Sequence, residues 1–252
     1  MNTLRFTAGE PAVEITRITP GLWHALDDDR VTGRAEAITR PDGRIFLSVD
    51  AWHRSVFDEL ARAMLTALPE TLHTVVDETD LQLLEGWQQA GFTIRRREWE
   101  YVVPTHVAEA SPPPGVTIGP ADVDPLRELD HVVRAEVSAA VGWEEMPAEV
   151  LVRPLETANY TVAVHDGEYA GLVRVAQMTR LPRIGLIAVR TSLRRRGIGR
   201  ALLTHTLGAL GRAGIPAASA EVNEANLAAV ALFEGIGARR AGSTVELVRH
   251  GR

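Results

Sequence analysis

The chain has 252 residues, with 33 acidic residues against 27 basic ones, every one of them arginine, for a net charge of −6. The lack of cysteine excludes disulfides, thiolate zinc sites and a cysteine nucleophile, and the lack of lysine excludes Schiff-base chemistry. A hydrophobic content of 45% supports one large domain or two of about 120 residues, while the acidic balance argues against a nucleic-acid partner.

In chain order, Met1 to Thr7 carries no apolar run of the secretory kind, and no stretch of about 18 apolar residues suggests a membrane span. The expectation is a cytoplasmic protein without membrane attachment. Ile45 to Val49 reads as a strand, and apolar spacing predicts a helix from about Val56 to Leu68. Asp80-x-x-Leu83-x-x-x-Trp87-x-x-x-Gly91 reads as a second helix, and Glu98 to Val103 as the strand that closes this half. Pro104 to Gly115, ending Ser-Pro-Pro-Pro-Gly, reads as a semi-rigid linker. The expected organisation is therefore 1–103, a linker 104–115, and 116–252. Residues 1–103 hold 17 Asp and Glu against 11 Arg, whereas residues 104–252 hold 16 of each, so the negative balance lies entirely in the first half.

The second half opens on a strand at Gly115 to Ile118 and a helix from Asp122 to about Val141, with Leu126, Leu129, Val133 and Val137 along one face. Gly142 to Pro147 interrupts that helix, and Ala148 to Leu155 reads as a short second one. Tyr160–Val164 and Tyr169–Met178 flank an Asp166-Gly167 pair, a strong hairpin signal. An apolar strand from Ile184 to Val189 then leads through Arg194-Arg195-Arg196-Gly197-Ile198-Gly199-Arg200 into a helix carrying Leu202, Leu203, Thr206, Leu207 and Leu210 on its core face. Arg200, Thr204 and Gly211 fall on the opposite face. A helix N-terminus with free N–H groups, glycines beside it and three arginines before it is suited to an anion. A strand at Ala217–Val222, a helix at Asn226–Ile236 and a strand at Thr244–Arg249 complete an α/β order. Neither Gly-x-x-x-x-Gly-Lys-[Ser/Thr] nor Gly-x-Gly-x-x-Gly occurs, which disfavours other nucleotide-phosphate sites.

Arg194-x-x-Gly197-x-Gly199 resembles the [Gln/Arg]-x-x-Gly-x-[Gly/Ala] signature of the GNAT acyltransferase superfamily. Asn226-x-x-Ala229-x-x-Leu232-Phe233-Glu234-x-x-Gly237 resembles that family's second signature, Asn-x-x-Ala-x-x-Leu-Tyr-Glu-x-x-Gly-Phe. The resemblance covers residues 116–250. The first half has a similar order: Val49 laid on Val189 puts Arg54 on Arg194, with Phe57 and Glu59 where Gly197 and Gly199 stand, and Asp80 aligns with Asn226. The fold expected is two tandem GNAT-like domains, each a mixed, mostly antiparallel sheet flanked by helices. The first would be degenerate and without a cofactor turn.

The resemblance implies acetyl-CoA, or another short acyl-CoA, as cofactor. Arg194, Arg195, Arg196, Gly197, Ile198, Gly199, Arg200 and Ala201 would hold its pyrophosphate, and the backbone of Ile187, Ala188 and Val189 its amide-rich arm. Asn226, Ala229 and Phe233 would contact the arm, although Asn226 also reads as a helix N-cap. The implied reaction is N-acetyl transfer to a primary amine of a small molecule, by direct attack in a ternary complex. Phe233 stands where the family usually has a proton-donating tyrosine, and it cannot donate. Tyr160, Tyr169, Ser219 or water replaces it, or catalysis is weak or absent and the chain is a non-catalytic acyl-CoA-binding protein. Glu221 is the positional candidate for a base, though it reads more readily as a surface strand residue. Trp143, Glu144, Glu145 and Glu149 are candidates for holding a cationic acceptor. His131 and His165 lack ligand spacing, so no metal is expected, and the chain is expected to be a monomer or homodimer.

Overall fold

A computed structural model of the chain describes residues 13–140, 142, 155–178 and 180–251. Trp143, Glu144, Glu145, Glu149 and most of the short helix expected from Ala148 to Leu155 lie outside the described residues. The contacts divide the chain into two compact units, one of Met1–Glu98 with Gly242–Arg252 and one of Trp99–Ala241. Each is an α/β layer of mixed, mostly antiparallel strands, and five helices flank them among the described residues.

The first unit begins with an antiparallel meander of β1 (Glu14–Thr19), β2 (Leu22–Asp27), β3 (Arg30–Thr39) and β4 (Ile45–Ala51). The β2–β3 turn, Asp28-Asp29, has positive φ at both residues, 44° and 61°. Aspartate tolerates that region better than most residues, and two such residues match the strand twist. Helix α1 (Arg54–Ala67) then crosses to β5 (Leu72–Asp77), which runs parallel to β4. Its buried Val56, Phe57, Leu60, Ala61 and Met64 recur at helical spacing and pack on Leu47, Val49 and Ala51 of β4. Helix α2 (Leu81–Gln89) follows, then β6 (Thr93–Pro104).

The second unit repeats that order with a helix, α3, between its first two strands. It holds β7 (Val116–Pro120), α3 (Val123–Ala140), the hairpin of β8 (Tyr160–His165) and β9 (Glu168–Ala176), β10 (Arg183–Val189), α4 (Ile198–Arg212), β11 (Ala217–Asn223) and α5 (Leu227–Glu234), before β12 (Arg239–Arg249). Asp166 and Gly167 make the predicted hairpin turn with φ of 52° and 81°. Helices α2 and α5 are near-copies. Asp80 and Asn226 both cap with a side-chain oxygen accepting an N–H three residues on, from Leu83 at 3.1 Å and from Ala229 at 3.1 Å. Both helices end on a left-handed glycine, Gly91 (φ 92°) and Gly237 (φ 86°), where only glycine avoids a Cβ penalty.

Three sequence expectations change. The closing strands are exchanged: Thr244–Arg249 pairs antiparallel with Leu72–Asp77, so Val245 and Leu247 join the first core, while Tyr101 and Val103 join the second. Alternating strand patterns carry no label for the neighbour they pair with, so both closures fit the sequence equally.

The Pro-rich segment after β6 is docked rather than merely spanning. Thr105 bonds to Pro216 and Ile215 carbonyls, the Ala110 amide donates to Thr204 Oγ1 at 3.0 Å, and Glu109 pairs with Arg212 at 2.5 Å. The α4 face predicted to point away from the core is thus covered, with Thr204 only 2% exposed. Small residues at 204, 208 and 211 admit the strap, since a Cβ on Gly208 would collide with the Glu109 carboxylate and one on Gly211 would lie 3.1 Å from the Thr105 carbonyl oxygen.

The two β–α turns also do not align as spaced. Register pairs Gly33 with Ala51 and Gly171 with Val189, so Ala51, not Val49, matches Val189. Arg54 therefore opens a helix, and Phe57 and Glu59 lie inside it, with Phe57 fully buried edge-on against Trp87 at 5.1 Å. Phe57 is core and obstructs no turn. What sets the first unit apart is length: two residues, 52–53, join β4 to α1, against eight, 190–197, between β10 and α4.

The first unit holds one buried charge cluster. Glu246 on β12 is 3% exposed and takes His73 Nδ1 at 3.0 Å, Arg44 and Arg95 at 3.2 Å, and Arg96 at 2.9 Å. Burial alone would raise this carboxyl, but the His73 hydrogen bond and the Arg96, Arg95 and Arg44 guanidinia hold it down at about 2. A depressed carboxyl stabilises the fold fully above its ordinary value near 4.5 and loses that contribution as pH falls towards about 2. Glu246→Gln leaves the guanidinia without their shared counter-charge and is expected to cost about 3–5 kcal/mol in urea unfolding at pH 7. The difference from the parent should shrink as pH drops from 4.5 towards 2; a constant difference would contradict this role.

Candidate functional site

Strands β10 and β11 are parallel neighbours, yet they pair only at Arg183 with Ser219 and Ile184 with Ala220. On its other side β10 stays paired with β9 as far as Val189 with Gly171, across a register shift between Ile184 and Leu186. From Leu186 to Val189 the β11-facing edge of β10 is thus open, forming a wedge whose mouth lies at the carboxyl ends of the two strands. Ligand sites of open α/β sheets form outside such ends, where connections diverge.

The turn from β10 into α4 stands at that mouth. Its start is held by α3: Glu136 Oε2 accepts from the Thr191 amide and hydroxyl, both at 2.9 Å, and lies 3.8 Å from the Arg194 guanidinium. Arg194 Nε donates to the Val189 carbonyl at 3.1 Å. Arg195 and Gly197 both adopt positive φ, 65° and 87°, and Gly197 is the α4 N-cap, without a side-chain bond to offer. The first helical bond runs from the Ala201 amide to the Gly197 carbonyl at 3.0 Å. The six amides of residues 195–200 have no acceptor among the described residues. Consecutive N–H groups of this kind, at the positive end of a helix, make an anion cradle.

The turn's electrostatics agree. Arg190 pairs with Glu168 at 3.0 Å, whereas Arg195 and Arg196 are exposed and have no carboxylate partner among the described residues. Arg200 donates to the Gly235 carbonyl at 3.3 Å, tying α4 to the end of α5. Ile198 and Ala201 are buried and anchor the helix start. Ile187 and Val189 lean on the α4 core, while Ala188 faces the α3 side. Asn226 is the α5 N-cap, the plainer of its two readings, and Ala229 is half-buried beside it.

Of the residues considered for proton transfer, Phe233, Glu221, Tyr169 and Ser219 are buried, paired or already engaged. Phe233 is 2% exposed and stacks on Tyr101 with centroids 5.9 Å apart, so its ring is a core element. The Tyr101 hydroxyl is already engaged by Glu234 at 3.1 Å and Arg240 at 3.2 Å, and burial raises it above the ordinary phenol range. Glu221 is exposed and bound by Arg183 at 2.6 Å. Tyr169 accepts from the Asp122 amide at 2.8 Å, and Ser219 lies in the paired base of β10 and β11. Tyr160 is buried across β8 and β9 from Arg174, a residue that no motif or spacing singles out.

Residues 129–238 match the model of the acetyltransferase (GNAT) family. A sequence search of curated proteins gives no significant match. Among solved structures, a GCN5-related N-acetyltransferase from Sphaerobacter thermophilus aligns with TM-score 0.69 at 17% identity, over 93% of this chain and 82% of its own. A tandem GNAT protein from the clavulanic acid biosynthesis pathway aligns with TM-score 0.66 at 17% identity, over 96% and 84%. A GCN5-related N-acetyltransferase from Kribbella flavida aligns with TM-score 0.62 at 15% identity, over 95% and 90%. At these identities the likeness is one of fold, and it takes in both units.

The two turn glycines have different physical duties. Gly197→Ala puts a Cβ on a left-handed residue and is expected to cost about 1–2 kcal/mol. Gly199→Ala lies in the first helical turn, where its Cβ would meet only ordinary contacts, 3.7 Å from Val189 and 3.9 Å from Leu232. It is expected to be neutral or to stabilise by up to about 1 kcal/mol. Urea unfolding of both variants checks this ordering; equal costs would contradict it.

Proposed function

From the match of residues 129–238 to the acetyltransferase (GNAT) family model, we propose that the chain is an N-acyltransferase that moves an acetyl group from acetyl-CoA to a primary amine of a small molecule. The observation that carries this reading is the wedge between β10 and β11 with six acceptor-less amides at its mouth. The residues fit the cofactor's parts. Amides 195–200 and the Arg195 and Arg196 heads would take its pyrophosphate, each charge-assisted bond contributing about 1.5–3 kcal/mol before salt screening. The open edge of Leu186–Val189 would take an amide-rich arm as an added strand would. Acetyl-CoA, when bound, supplies an activated thioester carbonyl.

The chain's own contribution is then chiefly orientation and polarisation. Unpaired backbone groups of β10 position the acyl carbonyl, and the half-closed wedge limits water. The acceptor attacks as the free amine in a ternary complex. With Phe233 buried and unable to donate, and Glu221 held by Arg183, water carries the protons in this reading. A side-chain general acid is typically worth about 10²–10⁴-fold, so turnover is expected to be low for a reaction of this class.

The test is thiol release from acetyl-CoA across a broad panel of amines, beside calorimetric binding of coenzyme A. Amine-dependent release above the amine-free control is expected, together with coenzyme A affinity that falls by about 100-fold in Gly197→Glu, which sets a carboxylate among the phosphate-binding amides. Tight coenzyme A binding with no release across the panel would favour a non-catalytic acyl-CoA-binding protein. Unchanged affinity in Gly197→Glu would sink the phosphate turn itself.

A further inference from the structure

Arg174, in the middle of β9, is 5% exposed, and its guanidinium has no hydrogen bond or ion-pair partner among the described residues. Tyr160, its direct cross-strand neighbour on β8, is 8% exposed, and its hydroxyl has none either. A buried cation with no counter-charge is costly, and folds retain one where something else binds to it. The surroundings are apolar: Leu126, Leu129 and Val133 of α3, with Val162 and Leu172 of the sheet. The other charges facing Tyr160 are Asp130, Arg134 and Glu156, and Asp130 is taken by Arg134 at 2.5 Å. Burial holds the Tyr160 phenol above its ordinary range, so it stays a hydrogen-bond donor at neutral pH.

The location ties this pair to the wedge. Arg174 lies opposite Leu186 of β10, two residues past the last β10–β11 pair at Ile184. The register shift at Gly185 brings the Arg174 head against the strand there, with Nη1 3.3 Å from where a Gly185 Cβ would stand. One strand spacing, about 4.8 Å, therefore separates the Arg174 backbone from the open edge. A long guanidinium side chain covers that span.

We propose that Arg174, with the Tyr160 hydroxyl beside it, is the acceptor-recognition site of the second unit and takes a carboxylate. The acceptor is thus an amine of amino-acid type. One guanidinium and one hydroxyl suit a singly charged, two-oxygen group; a phosphate dianion would need more free cations than the described residues supply here. The assignment rests on the acyltransferase reading for the amine end of the acceptor, not for the anion end.

The experiment compares kcat/KM in thiol release for matched acceptors with and without a carboxylate: arginine with agmatine, tyrosine with tyramine, histidine with histamine. The carboxylate-bearing member of at least one pair should be favoured by about 10- to 100-fold, the worth of a charge-assisted hydrogen bond. Arg174→Met should erase the preference without changing acetyl-CoA affinity, Arg174→Lys should restore part of it, and Tyr160→Phe should weaken it less. Preference for the decarboxylated amines, or a preference that survives Arg174→Met, would overturn the assignment. If no amine releases thiol while acetyl-CoA still binds, the acyltransferase reading fails by itself. The anion site is then read from melting temperature: the same amino acids should raise that of the parent protein and of Arg174→Lys, but not that of Arg174→Met. No rise in the parent would overturn it.

Discussion

The proposed site of the second unit starts from two parallel strands that stop pairing early. β10 and β11 share only the Arg183 and Ile184 rungs, while β9 stays paired with β10 as far as Val189, across one register shift. Backbone groups released from a ladder must find another partner, because an unpaired buried N–H or C=O costs about 1–3 kcal/mol. The wedge is therefore a demand for a hydrogen-bonding ligand written into the sheet. The crossover helix returns its N-terminus to the same end, adding donors and a positive dipole to the mouth.

The first unit has the same wedge and lacks the same site. β4 and β5 pair only at Ile45 with Leu72 and Phe46 with His73, and α2 begins with the capping geometry of α5. Between β4 and α1, however, there are two residues. Two residues cannot wind a ring of inward amides. Loop length, not an obstructing side chain, separates the two β–α turns. The eight-residue turn in turn needs support, which Glu136 gives from one side and the strap along Thr204, Gly208 and Gly211 gives to its helix from the other.

Much of this was legible in the chain. Arg194-x-x-Gly197-x-Gly199 and Asn226-x-x-Ala229 located the turn and the cap because each spacing encodes a local backbone requirement: a left-handed residue, an N-cap, a helix start. The Asp166-Gly167 hairpin was legible for the same reason. What escaped depends on partners distant in sequence. β1, β2 and β3 are poor in apolar alternation, and Asp28-Asp29 turns without the glycine that would have announced it. The exchange of closing strands is invisible because Glu98–Val103 and Thr244–Val248 have similar patterns. The strap read as a linker because prolines and alanines gave no sign that Thr204, Gly208 and Gly211 had cleared a track for it. Arg174 looked like any charged strand residue until α3 was seen to cover it.

The proposed acyl-CoA site belongs to the second unit alone and is made of backbone amides. Amide hydrogen exchange on the whole protein, with and without coenzyme A, tests it at the atoms concerned. Slowed exchange at residues 195–200, with residues 52–57 unchanged, is the predicted result. Protection at 52–57, or none at 195–200 under saturating coenzyme A, would contradict it.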